Sequence, residues 1–254
     1  MSPRPVHRVV VVIPARYASH RLPGKPLADI GGRPMIVRVA EQARQARTVS
    51  DVLVATDDER IRVAVERAGF RAVMTSAECR SGTDRIAEAI ASDREADIIV
   101  NVQGDEPLLP PAMIDEAVQP FFDDPEVEAG TLVKRVRTEE ELRNPSIPKV
   151  VLDVHQNCLY FSRSVIPHLR DADPAEWLAQ GVWYRHVGLY VFRRAMLLRF
   201  PALPGTPLER MEKLEQLRIL EHGFRIRAVV TELESIAVDT PEDLERVRRI
   251  LSAT

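Results

Sequence analysis

The chain has 254 residues, 45% hydrophobic and 29% charged, with 35 basic side chains against 38 acidic ones and a formal net charge of -3. That length supports one large core, with or without a small insertion. The charge excludes a nucleic-acid partner bound by bulk basicity, so any anion site must be local.

"RVVVVI" at 8–13 is a continuous β-branched apolar run, the pattern of a strand covered by helices on both faces. A loop, "PARYASHRLPGKPL", follows. Ile36, Val39, Ala40, Ala43 and Ala46 then keep helical spacing, with Pro34 accepted in the first turn. "DVLVAT" at 51–56 predicts a second strand. Ile61, Ala64, Val65 and Ala68 predict a helix closed by Gly69, and Asp57-Asp58 offer its N-cap. A short strand "RAVM", the stretch "TSAECRSGTDR", a helix carrying Ile86, Ala89 and Ile90, and the strand "DIIVNV" complete a β-α alternation. This is the order of a doubly wound, mainly parallel α/β sheet.

Met113, Ile114, Ala117, Val118 and Phe121 mark one more helix. From about residue 128 the pattern changes: "AGTLVKRV", "KVVLDVHQNCLYFSR" and "RHVGLYVFRR" alternate as antiparallel strands do. They are expected either to extend the same sheet or to form a small substrate lobe. "LERMEKLEQLRILEHG" reads as helix, "IRAVVTE" as strand, and "DTPEDLERVRRIL" as a closing helix with Thr240 as N-cap and Pro241 at its first position. The expected organisation is one domain over 1–254, with a first, doubly wound part at about 8–125, a lobe at about 126–200, and a return to the main sheet over 201–254.

Cys79 and Cys158 are too few for a disulfide framework and lack metal-ligand spacing, which fits inert thiols in a reducing compartment. "MSPRPVHR" has no apolar stretch of signal-peptide length, and no window approaches about 18 apolar residues. A cytoplasmic location and no membrane partner are therefore expected.

Two loops that leave strands carry the chemistry. The first holds Arg16, Arg21 and Lys25 with no acid among them, at a strand end, where open α/β sheets bind ligands. It is not a P-loop, because Ser19 and Pro26 stand where that motif needs Gly and Ser/Thr. Three unneutralised cations in ten residues favour an anion such as a polyphosphate over solvated loop charges. The second, "NVQGDEPLL", has Gly104 for a tight turn, with Asp105 and Glu106 as oxygen donors at the same sheet edge. It suits either an ordinary turn or a hard cation such as Mg²⁺, held jointly by carboxylates and substrate phosphates. Asp239, between a strand and a helix start, becomes a further metal ligand only if the fold brings it to Asp105. "SGTDR" suits a base or ribose contact and a helix cap equally. His186, Tyr190 and Arg163 lie on the antiparallel part, where composition alone does not decide their role.

Taken in order, "VIPARYASHRLPGKPL", "VATDDERI", "TSAECRSGTDRIAEA", "NVQGDEPLL", "YFSRSVIP", "RHVGLYVFRR", "LEQLRIL" and "VDTPEDLERV" resemble the 3-deoxy-manno-octulosonate (Kdo) cytidylyltransferase family, the CMP-Kdo synthetases, from about residue 8 to 251. The resemblance implies a cytosolic homodimer that converts CTP and Kdo to CMP-Kdo and pyrophosphate with Mg²⁺, for lipopolysaccharide synthesis. It implies that Arg16, Arg21 and Lys25 hold the triphosphate, and that Ala15, Arg80, Ser81 and Gln103 lie near cytosine and ribose. Asp105 and Asp239 would hold the metal. Arg163, His186, Tyr190, Glu215 and Gln216 would surround the sugar acid, Arg163 at its carboxylate. Arg16, Lys25, Asp105 and Asp239 form the expected catalytic set. "YFSRSVIP" with "RHVGLY" favours Kdo over a sialic acid, while no residue separates Kdo from its 8-amino analogue. A noncatalytic nucleotide binder would be expected to have lost Asp105 or Asp239. Pro148, directly before Lys149, departs from the family pattern and puts the local backbone in question.

Overall fold

A computed structural model of the chain describes residues 7–18 and 22–252. Strand β1 (Val9–Ala15) lies in the interior of a nine-stranded sheet. Its valines explain its place: Val9, Val11 and Ile13 enter one core cluster, and Val10 and Val12 enter the cluster on the opposite face. This is the double-sided burial that its unbroken apolar run requires. A short hairpin, β2 (Asp29–Ile30) and β3 (Arg33–Pro34), leads into α1 (Met35–Arg44), whose Ile36, Val39, Ala40 and Ala43 cover the first face.

The alternation continues through β4 (Asp51–Thr56), α2 (Glu59–Arg67), β5 (Arg71–Met74), α3 (Gly82–Ile90), β6 (Ile98–Asn101) and α4 (Pro111–Asp123). Asp58 caps α2, accepting from the Arg60 amide at 2.9 Å, and Gly69 ends it at φ +78°. Strand β1 pairs in parallel with β4 on one side and β6 on the other. The chain therefore reverses its winding between β1 and β6, and the crevice beyond their carboxyl ends is the topological switch point where such sheets bind ligands.

The remaining elements are β7 (Ala129–Arg135), α5 (Glu139–Arg143), β8 (Lys149–Leu152), β9 (Cys158–Ser162), α6 (Trp177–Gln180), β10 (Tyr184–Arg193), α7 (Arg194–Arg199), α8 (Pro207–Glu212), α9 (Gln216–Glu221), β11 (Arg227–Val230) and α10 (Pro241–Ser252). The sheet order is β11-β7-β10-β6-β1-β4-β5, with β8 on β10 and β9 on β8. Both expectations for the antiparallel part are met in portions. Strands β7 and β10 extend the main sheet, β10 running antiparallel to β6 and to β7. Val136, Leu142, Trp177 and Trp183 bury together in a separate small cluster, which gives this part a lobe of its own. Pro148 causes no break, because its carbonyl accepts from the His186 amide at 2.9 Å and that edge needs no donor from residue 148.

The helix expected over 208–223 is broken. Lys213 takes a left-handed φ of +55° and separates α8 from α9. In an unbroken helix Glu212 and Glu215 would share a face. The break sends them to different neighbours: Glu212 accepts from Ser162 Oγ at 2.6 Å on β9, and Glu215 lies beside the hydroxyls of Ser81 and Thr83 at the start of α3. Helix α10 is capped as expected, with Thr240 Oγ1 accepting from the Asp243 amide and Asp243 Oδ2 accepting from the Thr240 amide.

Candidate active site

The site forms where β1 and β6 empty into their loops. Beyond Ala15 the chain turns back on itself, the Gly24 amide donating to Tyr17 O, and Gly24 takes φ +69° to release Lys25 into a single helical turn. Beyond Asn101 the Val102 amide still donates to Val12 O, and Gly104 then passes so close to β1 that a Cβ there would lie 2.9 Å from Pro14 O. That approach places Asp105 beside Lys25, and Lys25 Nζ donates to Asp105 Oδ2 at 2.7 Å.

The far end of the chain completes the cluster. The Val238 amide donates to Asp105 O at 2.8 Å, fixing Asp239 next to it, and Lys25 Nζ also reaches Asp239 Oδ1 at 3.1 Å. Val238, Leu244 and Val247 pack with Ile30 and Met35, so α10 anchors this segment to the β2–β3 hairpin. The condition set for Asp239 by its sequence context is thus satisfied. Ala15, Arg16, Lys25, Gln103, Gly104 and Asp105 line a cavity of about 310 Å³ with Gly82, the first residue of α3. Arg16 is exposed at its mouth. Arg21 lies outside the described residues.

Asp105 and Asp239 fit a hard cation by donor chemistry: two carboxylates already share one positive charge, that of Lys25. Among the described residues no third His, Cys, Asp or Glu joins them. Substrate phosphates and water would complete the shell, which is the habit of Mg²⁺. Glu106 does not join them; burial pushes its carboxyl up to about 7, and the nearby Ser235 hydroxyl only partly offsets this.

Of the residues assigned to the sugar, His186 and Tyr190 lie on β10, which meets this cavity at Gln103, and Glu215 and Gln216 lie at the start of α9. Gln103 Nε2 donates to Gly188 O at 3.1 Å, between His186 and Tyr190. The imidazole of His186 lies 5.1 Å from the Tyr190 ring and 5.2 Å from Phe161, centroid to centroid. Burial holds His186 neutral, pushing it down to about 3, and raises the Tyr190 phenol well above its ordinary value. Burial also raises Glu215, against the nearby hydroxyls of Ser81 and Thr83, which favour its charge. The hydrogen bond of Gln103 to Gly188 and the approach of Glu215 to Ser81 therefore join the nucleotide group to the sugar group. Gln216 is 4% exposed and its Nε2 has no hydrogen bond among the described residues.

Two expected residues are engaged elsewhere. Arg80 turns to Asp84 Oδ2 (3.2 Å) and Pro201 O (3.1 Å) and lines a different cavity, beside Cys79 and Leu198. Arg163 spends its guanidinium on the carbonyls of Glu212, Pro145 and Lys213, clasping the break between α8 and α9. Of the two readings of "SGTDR", the cap is realised: Ser81 Oγ accepts from the Asp84 amide at 3.1 Å. Sequence reasoning missed Arg85, which is fully buried and donates to Asp57 Oδ2 (2.6 Å) and Thr75 Oγ1 (2.5 Å), bracing the loops under α3. It also missed Thr131, a buried hydroxyl on β7 that touches His186. The signal for both was a polar residue at a position whose neighbours on the same face are apolar.

Comparisons with known proteins agree in one direction. Residues 10–232 match the family model described as Cytidylyltransferase. A 3-deoxy-manno-octulosonate cytidylyltransferase of Geobacter metallireducens is 52% identical over 250 residues, covering 96% of this chain and 98% of that protein. That of Geobacter sulfurreducens is 53% identical over 244 residues, covering 94% and 97%. A solved CMP:2-keto-3-deoxy-manno-octonic acid synthetase complexed with CTP superposes with a TM-score of 0.90 at 43% identity, covering 97% of this chain and 99% of the other.

Proposed function

The chain belongs to the 3-deoxy-manno-octulosonate cytidylyltransferase family, and on that premise we propose that it transfers the cytidylyl group of CTP to the anomeric hydroxyl of Kdo, giving CMP-Kdo and pyrophosphate for lipopolysaccharide synthesis. The observation that carries the reading is the convergence of Lys25, Asp105 and Asp239 at the switch point, in a loop whose Gln103 is hydrogen-bonded to the strand that carries His186 and Tyr190.

The anomeric oxygen attacks the α-phosphorus in line, its bond to the bridging oxygen breaks, and pyrophosphate leaves. Such a transfer needs positioning and charge stabilisation rather than a protein nucleophile. Arg16 and Lys25, with Arg21 on the same loop, neutralise the triphosphate. Ala15, Ser81 and Gln103 border the nucleoside, and Arg80 would need to leave Asp84 to join them. Asp105 and Asp239 would hold Mg²⁺, which supplies Lewis-acid polarisation of the phosphate oxygens. His186, Tyr190, Glu215 and Gln216 enclose the sugar acid, and Arg163 meets its carboxylate with whatever donor capacity its clasp on α8–α9 leaves.

The homodimer and the cytoplasmic setting belong to the same proposal. Supporting a partner surface, Val154 and Leu159 at the β8–β9 hairpin and Met211 on α8 are 93%, 60% and 79% exposed, and Tyr160 links hairpin to helix through Glu212. Among the described residues no helix is long and apolar enough to cross a membrane. The test is pyrophosphate release over a matrix of CTP, UTP, ATP and GTP against Kdo, 8-amino-Kdo and a sialic acid. Turnover confined to CTP with Kdo is expected, and a protein silent with every pair would refute the reading.

A further inference from the structure

Strand β10 carries an irregularity at the point where the two halves of the site meet. Its register on β7 runs His186 to Val133 and Val187 to Leu132, then jumps to Tyr190 opposite Thr131. Two residues, Gly188 and Leu189, are thus inserted on β10 with none on β7, a bulge of the kind that re-aims side chains. In a regular strand His186 and Tyr190, four residues apart, would be separated by about 13 Å. Here they face Val133 and Thr131, two residues apart, and their rings come within 5.1 Å. The carbonyl exposed by the bulge, Gly188 O, accepts from Gln103 at the nucleotide cavity.

Thr131 holds this bulge from the β7 side. Its side chain is buried, with the residue 1% exposed, and Oγ1 lies 2.8 Å from Leu189 O, 3.2 Å from Val187 O and 3.0 Å from His186 Nε2. A hydroxyl has one proton. Both carbonyls can only accept, and the nearer, Leu189 O, takes that proton. The contact with His186 must then be donated by the ring, from Nε2–H to Oγ1. A neutral imidazole protonated at Nε2 keeps its lone pair at Nδ1, which makes no hydrogen bond among the described residues.

We infer that Thr131 is a positioning residue for the transfer reaction: its hydroxyl fixes the bulge of β10 and sets His186 as the Nε2–H tautomer, so that the imidazole presents Nδ1 as a hydrogen-bond acceptor to a hydroxyl of the sugar acid. The part concerning the sugar rests on the function proposed above; the tautomer does not. One hydroxyl thereby couples the orientation of Gln103, on the nucleotide side, to that of His186, on the sugar side.

The test uses the full-length protein labelled with ¹⁵N-histidine, free of ligands, at neutral pH. Long-range ¹H–¹⁵N correlation should show His186, assigned by its loss in His186→Gln, with a protonated Nε2 and an unprotonated Nδ1. Thr131→Val, which keeps the shape and removes the hydroxyl, should mix or reverse the tautomers, and Thr131→Ser should restore the wild-type pattern. In steady state Thr131→Val should raise KM for the sugar acid about tenfold, the size expected for a lost neutral hydrogen bond, with a smaller change for CTP and recovery in Thr131→Ser. A wild-type ring protonated at Nδ1 would overturn the inference, as would a Thr131→Val protein with unchanged His186 resonances and unchanged sugar KM. Should Thr131→Val fail to fold, the wild-type spectrum and Thr131→Ser still decide. A wild type inactive with Kdo but showing the expected tautomer would refute the proposed function and leave the tautomer assignment standing.

Discussion

Lys25 Nζ donates to Asp105 Oδ2 at 2.7 Å, and the same ammonium meets Asp239 Oδ1 at 3.1 Å. One cation thus ties the loop after β1 to the loop after β6 and to the segment before α10. All three side chains keep some exposure, so the pairing contributes only about 1 kcal/mol or less to stability. Their role in turnover is larger. Lys25→Met and Asp105→Asn are each expected to lower kcat/KM by about 10² to 10³. Both should leave the urea midpoint close to that of the wild type, which separates a catalytic loss from an unfolding one.

Arg85 makes the opposite prediction. Its side chain is fully buried against Asp57 and Thr75. Arg85→Met leaves Asp57 without its partner in a desolvated setting and should cost about 3–5 kcal/mol in urea unfolding. The double variant Arg85→Met/Asp57→Asn should recover part of that loss, since the uncompensated carboxylate is gone. Arg62, half-buried between the exposed carboxylates of Glu59 and Glu66 on α2, supplies the contrast: Arg62→Ala should move the midpoint by far less than Arg85→Met.

Much of this is legible in the sequence. The unbroken valines of β1, the cap signals of α2 and α10, and the two strand-end loops placed the sheet and the mouth of the site, because each rests on a local rule of periodicity or capping. What is not legible depends on contacts distant in sequence. Arg85 meets Asp57 across 28 positions, and Thr131 meets His186 across 55. The break at Lys213 belongs to the same class: by propensity 208–223 is a good helix, and the separate neighbours of Glu212 and Glu215 override it. Arg163 belongs to this class too, since its guanidinium clasps backbone carbonyls that no motif reveals.

Two glycines at the site should respond differently to a methyl group. A Cβ on Gly104 would stand 2.9 Å from Pro14 O, a backbone atom in the interior of the sheet that cannot yield cheaply. Gly104→Ala is expected to cost about 1–3 kcal/mol and to weaken CTP binding by calorimetry. At Gly188 the nearest atom is Gln103 Cγ at 3.8 Å, an ordinary contact. Gly188→Ala should match the wild type in both measurements.

His186 gives the protein a signed dependence on pH. Burial depresses its imidazole from 6.5 to about 3. Above about pH 6.5 the residue is neutral in folded and unfolded chains alike, and its contribution is complete. As the pH falls below that value the unfolded chain takes up a proton that the folded chain refuses, so stability is lost towards pH 3. Relative to His186→Gln, the wild type should lose about 1.4 kcal/mol for each pH unit in that window. Urea unfolding of both proteins at pH 7.5, about 6 and about 5 measures it, and parallel curves would show that the ring titrates normally.

The most direct test of the central claim is phosphorus NMR of a single reaction containing the protein, CTP, Kdo and Mg²⁺. The account predicts that CTP resonances fall as one sugar-nucleotide phosphodiester and one pyrophosphate appear per CTP consumed, and that neither appears with Asp105→Ala. Release of inorganic phosphate in place of pyrophosphate, or an Asp105→Ala protein that turns over at the wild-type rate, would contradict it.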